Sequence, residues 1–201
     1  MNQVETAIWG KNKPKEGVTP AVALCNPKYP HNVGAALRAC SCFGLKQLWF
    51  SGNRVSLKPD KEKGYRLPRE ERMKGYSEVE LRNFDYFFEQ FDRSVTPVAV
   101  ELRQNAEMLP QFIHPENPLY VFGPEDGSID QVMLRHCHRF VVIPTAHCVN
   151  LSAAVYLVLY DRLQKRIADG LEPVRPMGEV LKENRGFIEP DFGDLFNETT
   201  R

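Results

Sequence analysis

The sequence predicts an α/β fold, a mostly parallel sheet with helices on both faces, and three observations carry that expectation. Short apolar runs at 20–24, 47–50, 97–102, 119–122 and 140–144 have the length and composition of buried strands. Helical patterns separate most of them, and strands that alternate with helices form parallel sheets covered on both sides. Polar or glycine-bearing segments follow three of the runs, at the edge of the sheet where ligands bind in open α/β folds.

The first helix is expected over 32–43. Val33, Ala36, Leu37 and Cys40 recur at helical spacing, Asn32 stands where a capping residue would, and Gly44 is placed to end the helix in the left-handed conformation. Arg38 follows Leu37 by about 100° around the helix, off the apolar stripe, and so faces solvent or a ligand. The last core helix is expected over 151–168. Leu151, Ala154, Val155, Val158, Leu159 and Leu163 make its apolar face, and Gly170 caps it.

A length of 201 residues with 42% apolar content suits one compact domain with extensions. Residues 1–19, mixing Trp9 with lysines and Pro14, read as an N-terminal arm; residues 20–170 form the domain; residues 171–201, rich in proline, glycine and acids, read as an irregular C-terminal tail. The 26 basic and 26 acidic residues cancel, so any polyanion footprint is local. Its one candidate is the segment 54–75, with eight basic against four acidic residues and with Tyr65 and Tyr76 available for stacking. A solvated surface loop has the same composition.

Five cysteines, an odd number, argue against a disulfide framework, and Met1 is followed by polar residues; a reducing cytoplasm is the expected compartment. No apolar run approaches the roughly 20 residues that cross a bilayer, so no membrane partner is expected.

Three stretches could carry chemistry. The first, 26–38, is a strand end, a turn and a helix start holding Asn26, Pro27, Asn32, Gly34 and Arg38. The second, 122–128, puts Gly123, Glu125, Asp126 and Gly127 directly after a buried strand, where glycines permit close backbone approach. The third, 143–152, joins the last strand to the last helix through Ile143, Pro144, Cys148, Val149, Asn150 and Ser152, a loop with amides and carbonyls free to hold a ligand. The glycine signatures of dinucleotide and nucleoside triphosphate sites are absent. His136, Cys137, His138, His147 and Cys148 lack finger-like spacing, and no metal is expected.

In this order the three stretches resemble the SpoU-type (TrmH-like) branch of the SPOUT RNA methyltransferases. Asn26, Pro27, Asn32, Gly34, Arg38, Phe43 and Gly44 match the first motif, Gly123, Glu125 and Gly127 the second, and Ile143, Pro144 and 148–152 the third. Cys148 stands where that family usually carries serine, and Gly127 follows Glu125 by two positions rather than three.

The resemblance implies a C-terminal trefoil knot, an exception to the rule that chains stay unknotted. It further implies bound S-adenosylmethionine, a homodimer whose active sites draw on both subunits, and ribose 2′-O-methylation of transfer or ribosomal RNA. Arg38, Asn32, Glu125 and Asn150 are the catalytic residues it points to; Leu102, Gly123, Ile143 and Val149 would hold the cofactor. An ordinary arginine, with a pKa above about 12, is a reluctant base, so positioning is expected of Arg38 ahead of proton abstraction. Two other readings stay open on sequence alone: a non-catalytic RNA- or cofactor-binding protein of the same fold, and a methyltransferase for a base or small acceptor.

Overall fold

The structure, a computed structural model, describes residues 15–60, 64–66 and 78–183. Most of the expected arm, Tyr76 and five of the eight basic residues of the 54–75 insertion, and the tail beyond Glu183 lie outside the described residues.

Along the chain the elements are β1 (Ala21–Leu24), α1 (Pro30–Cys42), β2 (Gln47–Phe50), β3 (Lys58–Asp60), β4 (Gly64–Arg66), β5 (Glu80–Asn83), β6 (Thr96–Val100), β7 (Glu107–Met108), β8 (Pro118–Phe122), α2 (Gln131–Leu134), β9 (Arg139–Val142), α3 (Leu151–Ala168) and α4 (Met177–Glu183). Seven strands form one sheet in the order β5-β2-β1-β8-β6-β9-β7, every neighbouring pair parallel. The α/β expectation therefore holds. β3 and β4 pair antiparallel in a separate two-stranded sheet inside the 54–75 segment.

Alternating side chains build a core on each face, as the two-residue period of a strand requires. Val22, Leu24, Leu48, Phe50, Tyr120 and Phe122 point to the side covered by Val33, Leu37 and Cys40 of α1 and Val155, Val158 and Leu159 of α3. Ala21, Ala23, Trp49, Leu119 and Val121 point to the other side, closed by Phe87, Phe91, Met133 and Leu134.

Several boundaries differ from the expected ones. Helix α1 starts at Pro30 with Tyr29 as its cap residue, because proline lacks an N–H and its fixed φ suits the first helical position. Asn32 is thus inside the first turn, 2% exposed, and does not cap the helix. The run 97–102 leaves the sheet after Val100, and that at 140–144 after Val142. β5 and β7 carry too few apolar residues to announce themselves: only Leu81 of β5 is buried, and β7 is two exposed residues at the edge. Gly44 (φ 73°) and Gly170 (φ 71°) follow α1 and α3 as expected.

The placement of β9 bears on the site. It lies between β6 and β7, with Val141 opposite both Val100 and Glu107. The connection 101–106 must therefore pass from one side of β9 to the other. The Glu101 amide donates to Val141 O at 3.0 Å and fixes the start of that crossing.

By contacts the chain divides into residues 1–163 and 164–201. The first unit holds both sheets and α1 and α2. In the second, Arg166 Nε donates to Glu172 at 2.8 Å, Arg175 pairs with Glu183 at 2.8 Å, and α4 occupies part of the tail that its composition marked as irregular.

Candidate active site

The C-terminal ends of β8, β6 and β9 open onto a cavity of about 790 Å³, and all three sequence stretches contribute to its wall. The volume is within the range of small-molecule sites. Asn32 comes from α1, Leu102 from the crossing after β6, Gly123 and Glu125 from the turn after β8, and Ile143, Val149 and Asn150 from the loop after β9. Of the eight residues singled out from sequence, seven line one cavity.

Glu125 ties these loops together. Its Oε2 accepts from the Lys28 amide at 2.8 Å, and its Oε1 accepts from the Tyr29 amide at 3.3 Å and from Asn32 Nδ2 at 2.7 Å. Burial pushes this carboxyl up, but the hydrogen bonds from Asn32 and from the amides of Lys28, Glu125 and Tyr29 outweigh it and hold it below the usual carboxylate range. A carboxylate saturated in this way is an anchor rather than a proton acceptor.

The chain of contacts continues from Asn32 Oδ1 to Asn150 Nδ2 at 3.0 Å. Asn150 Oδ1 in turn accepts from the Ser152 amide at 2.9 Å, from Ser152 Oγ at 2.6 Å and from the Ala153 amide at 3.4 Å, which caps α3. Asn150 thus caps α3, whereas the cap expected of Asn32 on α1 is not made. Asn32 instead spends both ends of its amide joining the turn after β8 to the start of α3.

Gly123 lets the chain pack closely on itself at this turn. A Cβ there would lie 3.1 Å from the Ile129 nitrogen, whose N–H donates to Glu101 Oε2 at 2.9 Å. The close approach that glycine allows here is of the chain to itself.

Opposite that turn, the Thr145 amide donates to Ile143 O at 2.9 Å and Thr145 Oγ1 donates to His147 O at 2.7 Å, folding the loop tightly after Pro144. Within that loop the amides of Ala146, His147, Cys148 and Val149 donate no hydrogen bond among the described residues. Free backbone groups beside Val100, Phe122, Val142, Ile143 and Leu151 suit a flat heteroaromatic ring with polar edges.

Arg38 is the exception. It is exposed on α1, outside the lining of this cavity, and its side chain makes no hydrogen bond or ion pair among the described residues.

Sequence reasoning missed a clamp at the rim. Arg54 grips Asp126 with both guanidinium nitrogens, at 2.9 and 2.7 Å, and Lys28 Nζ reaches the same carboxylate at 3.2 Å. The Arg54 guanidinium first, and then Lys28, hold the Asp126 carboxyl down at about 2. All three residues sit in the quoted stretches or at the head of the basic segment, but partners separated by 72 and 98 positions leave no local signal.

The His/Cys cluster disperses. His136 stacks on Phe88 and Cys137 is buried, its thiol pushed up to about 12 by desolvation, whereas His147 and Cys148 lie in the cavity loop. Among the described residues no three His, Cys, Asp or Glu side chains are grouped to hold a metal ion, and no helix is long and apolar enough to cross a membrane.

Known proteins resemble this architecture and this sequence. The tRNA (cytidine-2′-O-)-methyltransferase TrmJ of Methanocaldococcus jannaschii is 24% identical over 193 residues, which span 90% of this chain and 83% of TrmJ. The TrmH/SpoU tRNA modifying enzyme of A. aeolicus superposes with a TM-score of 0.63 at 20% identity, over 81% of this chain and 83% of that one. The SpoU methyltransferase AviRb from Streptomyces viridochromogenes, solved with AdoMet, gives a TM-score of 0.60 at 19% identity over 74% of this chain and 58% of its own. The model of the SpoU rRNA methylase family matches residues 20–160, from the start of β1 into α3 and across all three stretches, so this chain belongs to that family.

Proposed function

We propose that this protein transfers the methyl group of S-adenosylmethionine to a ribose 2′-hydroxyl of RNA, transfer RNA ahead of ribosomal RNA. The carrying observation is the convergence of seven of the eight motif residues on one cavity at the C-terminal edge of the sheet, in a chain of a methylase family. The similarity to TrmJ, over nearly the whole chain, supports transfer RNA as the acceptor and the ribose oxygen as the atom.

The residues present suit the cofactor. Val100, Ile143 and Val149 offer an apolar seat, the free amides of 146–149 offer donors to an adenine or ribose edge, and Leu102, Gly123, Ile143 and Val149 are the contacts we assign to it. Bound there, S-adenosylmethionine supplies an electrophilic methyl on a sulfonium centre.

What remains for the protein is alignment and removal of one proton. Glu125, Asn32 and Asn150 serve as positioning residues: their hydrogen bonds tie three segments in one geometry, and each of their side-chain oxygens already accepts a hydrogen bond. Arg38 is assigned to the RNA, orienting the phosphate or hydroxyl of the target nucleotide with a guanidinium that has no partner among the described residues.

Because Arg38 stands outside the cavity of its own subunit, the reading includes a homodimer in which it serves a shared site. Ala153, Leu157 and Tyr160 leave an exposed stripe at helical spacing on α3, with Leu157 40% and Tyr160 54% exposed, which supports that helix as the contact. The insertion of β9 between β6 and β7 supports a knotted path through the 101–106 crossing. Five free cysteines fit a reducing cytoplasm.

The test is methyl transfer by purified protein to RNA from cells lacking the gene, with labelled S-adenosylmethionine. Label on a ribose oxygen supports the reading. Cofactor binding without transfer to any RNA favours a binding protein of the same fold.

A further inference from the structure

A second cavity, of about 840 Å³, opens on the same edge of the sheet, over the ends of β1, β2 and β5 rather than β8, β6 and β9. Its lining differs in kind. Asn26, Asn53 and Asn83 contribute side-chain amides, Phe84 and Tyr86 contribute rings, Asp85 and Asp130 contribute carboxylates, and no lysine or arginine is present among the described lining residues.

Both rings are unusually open for aromatics, Phe84 at 39% and Tyr86 at 58% exposure. Phe84 is steadied from behind by the buried Trp49, centroids 5.5 Å apart, so it is a fixed platform and not a loose side chain. Asn26 is held in a backbone conformation that few residues other than glycine adopt. Its backbone is left-handed (φ 47°), its amide donates to Ser51 O at 3.1 Å, and its buried Oδ1, beneath Gly52, has no hydrogen-bond partner.

Aromatic faces beside side-chain amides are what an unstacked nucleobase needs: a surface for its π-face and groups that both donate and accept along its edge. Carboxylates without a cation repel phosphate, so the occupant is a base rather than a backbone group. The two cavities are about three strand spacings apart, roughly 14 Å, near enough for one strand to reach both.

We infer that this cavity is a second RNA subsite, which seats one unpaired nucleobase flanking the nucleotide that is methylated. The inference rests on the RNA methyltransferase reading above. Tyr86 stacks on the base, Phe84 closes the opposite wall, and Asn53 and Asn83 read its edge. Recognition by this subsite requires the target to lie in a loop or single strand.

The experiment compares wild type with Tyr86→Ala, Tyr86→Phe and Asn53→Ala. Each is assayed by filter binding to end-labelled total RNA from cells lacking the gene, and by calorimetric titration with S-adenosylmethionine. Loss of one stacked base weakens RNA binding about tenfold in Tyr86→Ala, Tyr86→Phe restores it, Asn53→Ala weakens it less, and cofactor affinity is equal in all four.

Unchanged RNA affinity in Tyr86→Ala, beside a wild type that binds RNA, overturns the subsite and leaves the enzyme reading intact; a peptide or other occupant would give that result. Reduced cofactor affinity in Tyr86→Ala also overturns it, since the cavity would then belong to the cofactor. A wild type that binds S-adenosylmethionine but no RNA overturns both readings together.

Discussion

The turn after β8 and the face of α1 that carries Arg38 come from the same set of motif residues, yet they are finished in opposite ways. Glu125 accepts three hydrogen bonds from residues 28–32, and through Asn32 and Asn150 the network reaches the first turn of α3. Arg38 has no partner among the described residues. A side chain satisfied within its own subunit holds geometry. A charged fork left open on a helix is available for a ligand, and a carboxylate already accepting three hydrogen bonds is not.

The sharpest way to break this contrast is Arg38→Ala. Turnover falls about 100-fold or more, as loss of an orienting contact allows, while S-adenosylmethionine affinity and melting temperature stay at wild-type values. Arg38→Lys recovers only part, because a point charge lacks the planar fork. Equal turnover in the alanine variant would remove Arg38 from the mechanism.

Glu125→Ala should behave in the reverse manner. It strands Asn32 Nδ2 and the amides of Lys28 and Tyr29, a loss of about 1–2 kcal/mol for a partly exposed network, so a thermal melt shifts down by several degrees and cofactor affinity falls with it. An unchanged melt would mean that the loops hold themselves without Glu125. Asn150→Ala removes the α3 cap and should cost about 1 kcal/mol, seen as a drop of about 3 °C in melting temperature. Here a change in turnover without a change in stability would count against the positioning role.

The smallest effect belongs to the rim clamp. Asp126 has its carboxyl depressed to about 2, so its contribution is complete at neutral pH and is lost only as pH falls toward about 2. In Arg54→Ala the carboxyl titrates higher, toward its ordinary value, and the loss begins at correspondingly less acid pH. Carbon-detected NMR titration of Asp126 reads this directly. An Asp126 that titrates identically in both proteins would show that Arg54 does not hold it.

Much of this was legible in the sequence, for identifiable reasons. Buried parallel strands are apolar throughout, so β1, β2, β6, β8 and β9 stand out. The two long helices announce themselves by spacing and by the glycines that end them. β5 and β7 did not, because an edge strand needs few buried residues. The motif order brought seven site residues to one cavity. It did not reveal that Asn32 would be bypassed as a cap, since that depends on Pro30 claiming the first helical position. Nor did it reveal the pairing of Arg54 and Lys28 with Asp126, which only the sheet order brings together.

The activity proposed for this protein is transfer of a methyl group to a ribose oxygen of RNA. Its most direct test is mass spectrometry of nuclease-digested RNA from cells lacking the gene, after incubation with the purified protein and methyl-labelled S-adenosylmethionine. One labelled 2′-O-methylated nucleotide is expected, absent when Arg38→Ala replaces the wild type. Label on a base, or none on any RNA from a protein that binds the cofactor, would contradict it.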